Sequence, residues 1–521
     1  MLSPTTTLKR LIAASCMFIA HPSLAQEVSL STNDGEMALT GELLEFTNGF
    51  YIMRTEIGEV QVPASLVSCS GAACPEGGQV AIDFTIKGSD TIGAELMPLL
   101  VRGYAESQRA VVDNRKVGER QHVLTVIGDE GVGSTLFTTM IEDRGSSTGF
   151  RGLLDLSTQI GMSSRRIKGE EVSALADAGL GDALSFEQEH GIAVDGLLVV
   201  VHPDNPVDAL TEAQISDLLS GKVSNWAQLG GADLPVTVYT RDGNSGTFAT
   251  IAGKFLDPFN TSLTGQARIV AGNAEMSESV FGDPGGVGYV GFAFRGDNKP
   301  LGLISSCGIA AEASTFAAKT GEYPLQRTLY LYTTSAELPA RAQGLLAYAK
   351  SPAADGIIEK SGFIGFNIDS RDLSATARSI RAEIDTNQSR QELAALRELY
   401  IDMLEWRRLS PTFRFQTGSS NLDNASRRDL LRLTNYLTTS PNVKEVALVG
   451  FTDTDGAFDA NRNLGYARAE AVLDSIAAQL TGSDFDPSTV QIKSYGELNP
   501  VACNSDFAGQ RLNRRVEVWV R

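Results

Sequence analysis

The chain has 521 residues, 42% hydrophobic and 21% charged, with a formal net charge of -19 at pH 7. This is the composition of folded protein, and the length calls for two or three domains rather than a single core. The acidic balance excludes nucleic acid and anionic membrane surfaces as expected partners, so any anion site has to work through local donors.

Residues 1–25 carry Lys9-Arg10, the apolar run Leu11 to Ala20, and Ser23-Leu24-Ala25. This pattern predicts a secretory signal peptide cut after Ala25. Cys16 follows Ala13-Ala14-Ser15, a poor lipid-attachment signal, and no later apolar run approaches the roughly 18 residues that span a bilayer. No transmembrane span is therefore expected. Removing the signal leaves Cys69, Cys74, Cys307 and Cys503 in a compartment where disulfides persist. Cys69 and Cys74 flank the short loop Ser70 to Ala73 and are expected to pair; whether Cys307 and Cys503 meet is not legible. His122, His190 and His202 stand apart from one another and from any Cys or carboxylate at ligand spacing. Neither a metal, a cofactor nor a Ser-His triad is expected.

Residues 26–79 read as a small β module, with short runs Leu43 to Phe46, Tyr51 to Thr55 and Glu59 to Val62 separated by turns such as Ile57-Gly58. From 80 to 366 strands and helices alternate, which predicts an α/β domain with a mainly parallel sheet. Ala81 to Ile86 is a strand, and Gly88 to Gly93 a turn before a helix Glu95 to Tyr104. Leu124 to Ile127 is a strand; Gly145, Ser146, Ser147, Thr148 and Gly149 precede a helix Phe150 to Leu156. Ile160 to Met162 is an apolar strand followed by Ser163, Ser164 and Arg165. Leu234 to Tyr239 is another, leading through Thr240, Arg241, Asp242, Gly243 and Asn244 to a helix that begins at Ser245, Gly246 and Thr247. Four strand ends are thus rich in Gly, Ser, Thr or Arg. An oxyanion leaving water must recover its hydrogen bonds, and hydroxyls with helix N-terminal amides supply them at about 1.5 to 3 kcal/mol each.

On these segments, together with Asn205-Pro206, Gly221 to Trp226 and Gly286 to Val290, residues 80–366 resemble the periplasmic phosphate-binding proteins of ABC transporters, PstS-like proteins with a two-lobed type II periplasmic-binding fold. The resemblance implies an anion held by Ser89, Thr91, Ser146, Ser163, Ser164, Arg241, Ser245, Gly246 and Thr247, and an ABC transporter permease as partner. Trp226 and Tyr289 are expected to pack rather than bind. Where that family places an acceptor Asp in the third loop, this chain has Ser164 and Arg165; Asp90 is the alternative acceptor, or a free loop carboxylate.

In residues 367–410, Leu393, Leu396, Tyr400, Met403 and Leu404 recur at helical spacing, predicting an amphipathic connector helix that ends by Ser410-Pro411. Residues 411–521 contain Thr452-Asp453, Gly456, Asn461, Leu464, Arg468-Ala469, and Asn513, Arg514, Arg515, Val516 in that order. This pattern resembles the α+β peptidoglycan-binding domain of the OmpA family. The resemblance implies that Asp453 and Arg468 clasp the ammonium and carboxylate of the diaminopimelate side chain, with Arg514 and Arg515 assisting or sealing the last strand. Phe451 and Gly465 depart from that family's usual His and Ser.

The expectation is a non-enzymatic periplasmic receptor for phosphate or a similar oxyanion, tethered noncovalently to peptidoglycan at the cell wall and the inner face of an outer membrane. The alternative is a structural cell-envelope protein whose binding-protein domain contacts other proteins.

Overall fold

The computed structural model describes residues 27–32, 38–47, 50–64, 67–71, 73–74, 81–128, 134–243, 245–386, 389–415, 421–440, 445–482 and 486–521. The expected signal peptide lies outside them. The described residues up to Ala81 form one compact unit and the described residues from Ile82 onward form another.

The first unit is an antiparallel sheet of β1 (Glu27–Thr32), β2 (Ala38–Thr47), β3 (Phe50–Thr55), β4 (Gly58–Pro63) and β5 (Val67–Ser70), in the order β4-β3-β2-β1-β5. Val28, Leu30, Tyr51, Met53 and Val67 alternate onto one buried face. Cys69 and Cys74 are disulfide-bonded, as their spacing predicts.

The second unit opens with β6 (Phe84–Gly88), α1 (Met97–Ser107), β7 (Ala110–Gly118), β8 (Gln121–Gly128), β9 (Thr135–Asp143), α2 (Ser146–Leu154), β10 (Ile160–Ser163) and β11 (Glu189–Val201). It continues through β12 (Thr237–Thr240), α3 (Gly246–Phe255), β13 (Arg268–Ile269), β14 (Gly286–Gly291), β15 (Gln326–Tyr332), α4 (Ala340–Lys350) and α5 (Asp355–Lys360). These strands share one curled sheet in the order β13-β12-β14-β11-β15-β10-β6-β9-β8-β7. The sheet is mixed, not mainly parallel: β10, β6 and β9 run parallel, as do β13, β12 and β14, while the other neighbours are antiparallel. Two hydrophobic cores result. One holds Phe84, Ile86, Leu100, Val101, Leu329 and Leu331; the other holds Val199, Val201, Trp226, Phe255, Val287 and Tyr289. Strand β11 contributes Ile192 and Ala193 to the first and Leu198 to Val201 to the second, so with β15 it crosses between two lobes.

The C-terminal domain is a sheet of β16 (Ser370–Asp372), β17 (Arg407–Phe413), β18 (Val446–Phe451), β19 (Gln491–Gly496) and β20 (Arg515–Val520), in the order β16-β17-β20-β18-β19. Helices α6 (Ser374–Thr386) and α7 (Arg390–Glu405) cover one face through Ala377, Leu396, Leu399 and Met403. Helices α8 (Asn424–Thr439) and α9 (Phe458–Gln479) cover the other through Leu433, Ala469, Val472 and Ile476. The segment read as one connector helix thus supplies a strand and two helices to this core. It ends sooner than expected: α7 stops at Glu405, and Pro411 lies inside β17 at an irregularity between Leu409 and Thr412, where the ladder does not need its missing N–H.

The C-terminal domain grips both lobes. Toward the second lobe, Cys307 is disulfide-bonded to Cys503, and Arg408 meets Glu322 at 2.5 Å. Arg408 also meets Glu517 at 3.1 Å, and Glu517 in turn holds Arg515 at 2.7 Å and the indole of Trp519 at 2.8 Å. Toward the first lobe, Arg432 meets Asp355 at 2.6 Å and Asn424 donates to Glu189 at 3.0 Å, while the Arg428 guanidinium stacks 3.5 Å over the ring of Phe366, a member of the second lobe's core. Burial alone would raise the Glu322 carboxyl, but Arg408 and Arg515 outweigh it and hold the group below its usual range.

Removing one partner of a buried ion pair leaves the other charge uncompensated, which costs about 3 to 5 kcal/mol. Glu322→Gln should therefore lower stability by that amount in urea titrations followed by tryptophan fluorescence. The double change Glu322→Leu with Arg408→Met should recover most of the loss.

Candidate functional site

The first three hydroxyl-rich loops follow β6, β9 and β10, whose C-terminal ends lie side by side because Gly88 pairs with both Met162 and Asp143. Gly88 has φ of +139° and a Cβ there would lie 2.1 Å from the Met162 carbonyl oxygen, so only glycine lets the first loop leave the sheet this way. The chain enters a helix almost at once after Ser89, beginning with a π-helical stretch Ile92–Leu96 in place of the expected turn. Helix α2 likewise starts at Ser146, not at Phe150, which puts Ser146 and Ser147 in its first turn, where backbone N–H groups have no intrahelical acceptor.

Ser146 and Ser164 are brought together: their hydroxyl oxygens are 3.4 Å apart and the Ser164 N–H donates to Ser146 Oγ at 3.1 Å. Ser89 is fully buried, and its hydroxyl has no hydrogen-bond partner. Ser163 folds its own loop, donating to the Arg165 carbonyl at 2.6 Å. Arg165 is committed to Glu171, bidentate at 2.7 and 2.8 Å, and stacks on Phe150. Thr91 accepts a 3.3 Å hydrogen bond from Arg327, which is also paired with Asp195 at 2.8 Å.

On the second lobe, Arg241 stands at the end of β12. The Tyr289 hydroxyl accepts its backbone N–H at 2.9 Å and lies 2.8 Å from Thr240 Oγ1, so Tyr289 positions the loop as well as packing the core. Arg241 Nε is buried without an acceptor. Ser245 caps α3, accepting the Phe248 N–H at 3.4 Å, and Gly246 and Thr247 form the first turn. The expected residues therefore form two groups, one per lobe. Arg327, on the crossing strand β15, ties the first group to a cavity of about 110 Å³ that Thr250 and Lys254 of α3 also line.

Sequence reasoning missed Arg327, Asp195 and Asp143. Asp90 is exposed, whereas Asp143 is 7% exposed at the end of β9, its Oδ1 without a partner and its carboxyl raised by burial. The sequence Glu142-Asp143-Arg144 just before Gly145 was the available signal. A wider cavity of about 960 Å³ lies elsewhere, beside Arg295, Glu312, Lys319 and Asp369, and holds none of the expected residues.

The C-terminal domain gathers a second group. Asp453 follows β18, is 7% exposed, and meets Arg514 at 2.7 Å. Arg468 projects from α9 with Nη1 buried and unpartnered; burial first, and the Arg514 charge next, hold its guanidinium below the usual arginine range despite Asp453. Arg514 lies beneath the exposed Phe507 ring at 5.4 Å. Arg515 is fully buried and seals the strand instead, stacked 4.2 Å from Phe451. Gly465 is explained as well: a Cβ there would fall 2.3 Å from Ser494 Oγ, and one at Gly450 would fall 2.0 Å from the Gly465 carbonyl, so α9 lies on β18 backbone to backbone.

Residues 125–353 match the family model described as a PBP superfamily domain, and residues 414–514 match the OmpA family. The phosphate-binding protein PstS of Bacillus subtilis (strain 168) is 30% identical over 229 residues, covering 43% of this chain and 70% of that protein. PstS of Pseudomonas aeruginosa PAO1 is 30% identical over 251 residues, covering 43% of this chain and 73% of its own. Among solved structures, an ABC-type phosphate transport receptor from Vibrio cholerae is 21% identical and covers 54% of this chain and 98% of that chain, with a TM-score of 0.41.

Proposed function

Because this chain belongs to the family of the PstS phosphate-binding proteins through its middle domain and carries an OmpA family domain, we propose that it is a periplasmic solute-binding protein for phosphate or a similar oxyanion, held noncovalently on peptidoglycan. The observation that carries the anion reading is a pair of buried donors without acceptors, Ser89 Oγ and Arg241 Nε, at the two loops of matching position in the two lobes. An unsatisfied buried donor costs about 1 to 3 kcal/mol, and an oxyanion between the lobes removes that cost at both ends. Ser146, Ser164, the first-turn amides of α2, and Ser245, Gly246 and Thr247 complete the donor set, with Thr91 held in place by Arg327.

At the wall-binding site, the ammonium of a diaminopimelate side chain replaces Arg514 or joins it on Asp453, and the carboxylate takes the free Nη1 of Arg468. This reading puts the protein in the periplasm at the wall and the inner face of an outer membrane. An ABC transporter permease receives the anion, and no turnover occurs. Both sites use neutral or cationic donors that work locally within an acidic chain.

Isothermal titration of the full chain should give saturable phosphate binding, and Arg241→Ala should weaken it at least tenfold, about 1.4 kcal/mol; unchanged affinity would place the site elsewhere. Asp143 is the acceptor that a protonated oxyanion needs, so Asp143→Asn should narrow the preference for phosphate over sulfate in competition titrations. Since burial raises this carboxyl, the preference should fall as the pH drops toward the raised value and the acceptor is protonated. Asp453→Ala and Arg468→Ala should each abolish sedimentation with purified sacculi while leaving phosphate titrations unchanged.

A further inference from the structure

A cavity of about 430 Å³ opens where the two crossing strands meet the C-terminal domain. Its walls include Glu189 and His190 of β11, Tyr330 of β15, Lys350 at the end of α4, and Arg428 and Arg432 of α8. None of the anion-loop or wall-binding residues lines it.

The charges here do not cancel. Each guanidinium on the wall holds a carboxylate: Arg166 with Glu189 at 2.8 Å, Arg428 with Asp429 at 2.7 Å, Arg432 with Asp355 at 2.6 Å, and Arg511 with Asp423 at 3.1 Å. Lys350 has no carboxylate within 4 Å among the described residues, and exposed Glu187 acts on it only at longer range. Its Nζ lies 3.2 Å from His190 Nδ1. Burial and the Lys350 charge push His190 down to about 3, so the imidazole is neutral and supplies an acceptor but no counter-charge. Arg432, itself 8% exposed, keeps Nε buried with no acceptor. The cavity therefore has one uncompensated cation, Lys350, inside a chain of net charge -19. A half-buried ammonium without a counter-ion is unfavourable unless something supplies the anion. Beside it, the Phe186 ring lies 5.7 Å from Lys350 Nζ, and Leu431 is 47% exposed, so the same walls offer an apolar surface.

We propose that this cavity is a second ligand site, taking a small organic anion whose carboxylate or phosphate sits on Lys350 and whose apolar body lies on Phe186. It is distinct from the anion loops of the two lobes, none of whose residues lines it.

The test uses the full-length protein with Arg241→Ala, which removes the cleft site from the readout, and titrates benzoate and phenyl phosphate as probes. At least one should bind with a single-site isotherm that Lys350→Met weakens at least tenfold and Lys350→Arg largely preserves; which probe binds distinguishes a carboxylate from a phosphate ligand. Lys350→Met should melt at the same or a higher temperature than its parent, because it removes a strained charge, so loss of binding would not reflect misfolding. No heat with either probe, or binding indifferent to Lys350→Met, overturns the proposal. The assignment of the cleft stands or falls separately, on inorganic phosphate titrated into the protein that retains Arg241.

Discussion

Two buried carboxylates, Glu322 and Glu517, hold the binding-protein domain and the C-terminal domain in one arrangement. Glu517 lies in the last strand and Glu322 shortly before β15, and Arg408 reaches both. Arg515 and Arg414 add two further guanidiniums, and burial pushes Arg414 down to about 10. Three cations around two anions would be unfavourable in a dry interior; Glu517 offsets this by taking Arg408, Arg515 and the Trp519 indole together, and Glu322 by taking both terminal nitrogens of Arg408, while Arg414 Nε and Nη2 are left without acceptors. Solvating any of these groups would require the domains to part, so the ion cluster fixes which surfaces meet as well as how tightly.

The two sites follow a common physical pattern. In each, a donor is left buried without an acceptor: Arg241 Nε and Ser89 Oγ on the lobes, Arg468 Nη1 in the C-terminal domain. Arg408 Nε and Arg414 Nε and Nη2 at the domain seam are unpartnered too; what sets the first three apart is their place beside hydroxyl-rich loops or Asp453 and not inside an ion cluster. Second-layer groups then fix the first: Tyr289 holds the Arg241 backbone, Arg327 holds Thr91, and Asn461 bridges the Asp453 carbonyl to Glu497.

The sequence was informative where local chemistry alone dictates structure. Glycine and hydroxyl clusters at strand ends and the five-residue separation of Cys69 from Cys74 all act within a few residues; the helix start at Ser245 and the disulfide are found as read, while the clusters at Gly88 and Gly145 enter their helices sooner. It was uninformative where partners come from afar. Cys307 and Cys503 are 196 residues apart, and nothing local brings them together. Arg327 lies in an ordinary-looking strand and gains meaning only from the neighbours the sheet gives it. The expectation of a mainly parallel sheet fails for the same reason: alternation of strands and helices does not show that β11 and β15 cross between lobes, and that crossing makes the central ladders antiparallel. Pro411 reads as a helix stop in the sequence because a bulge that tolerates it cannot be seen from one strand.

The C-terminal domain's double hold has a mechanical meaning. Its Arg432 is fastened to Asp355 on one lobe and its Cys503 to Cys307 on the other. Any rotation of one lobe against the other about β11 and β15 must therefore strain one of those fastenings or carry the whole domain along. The molecule is braced like a frame with a diagonal strut, and a force applied at one corner is borne at the opposite one.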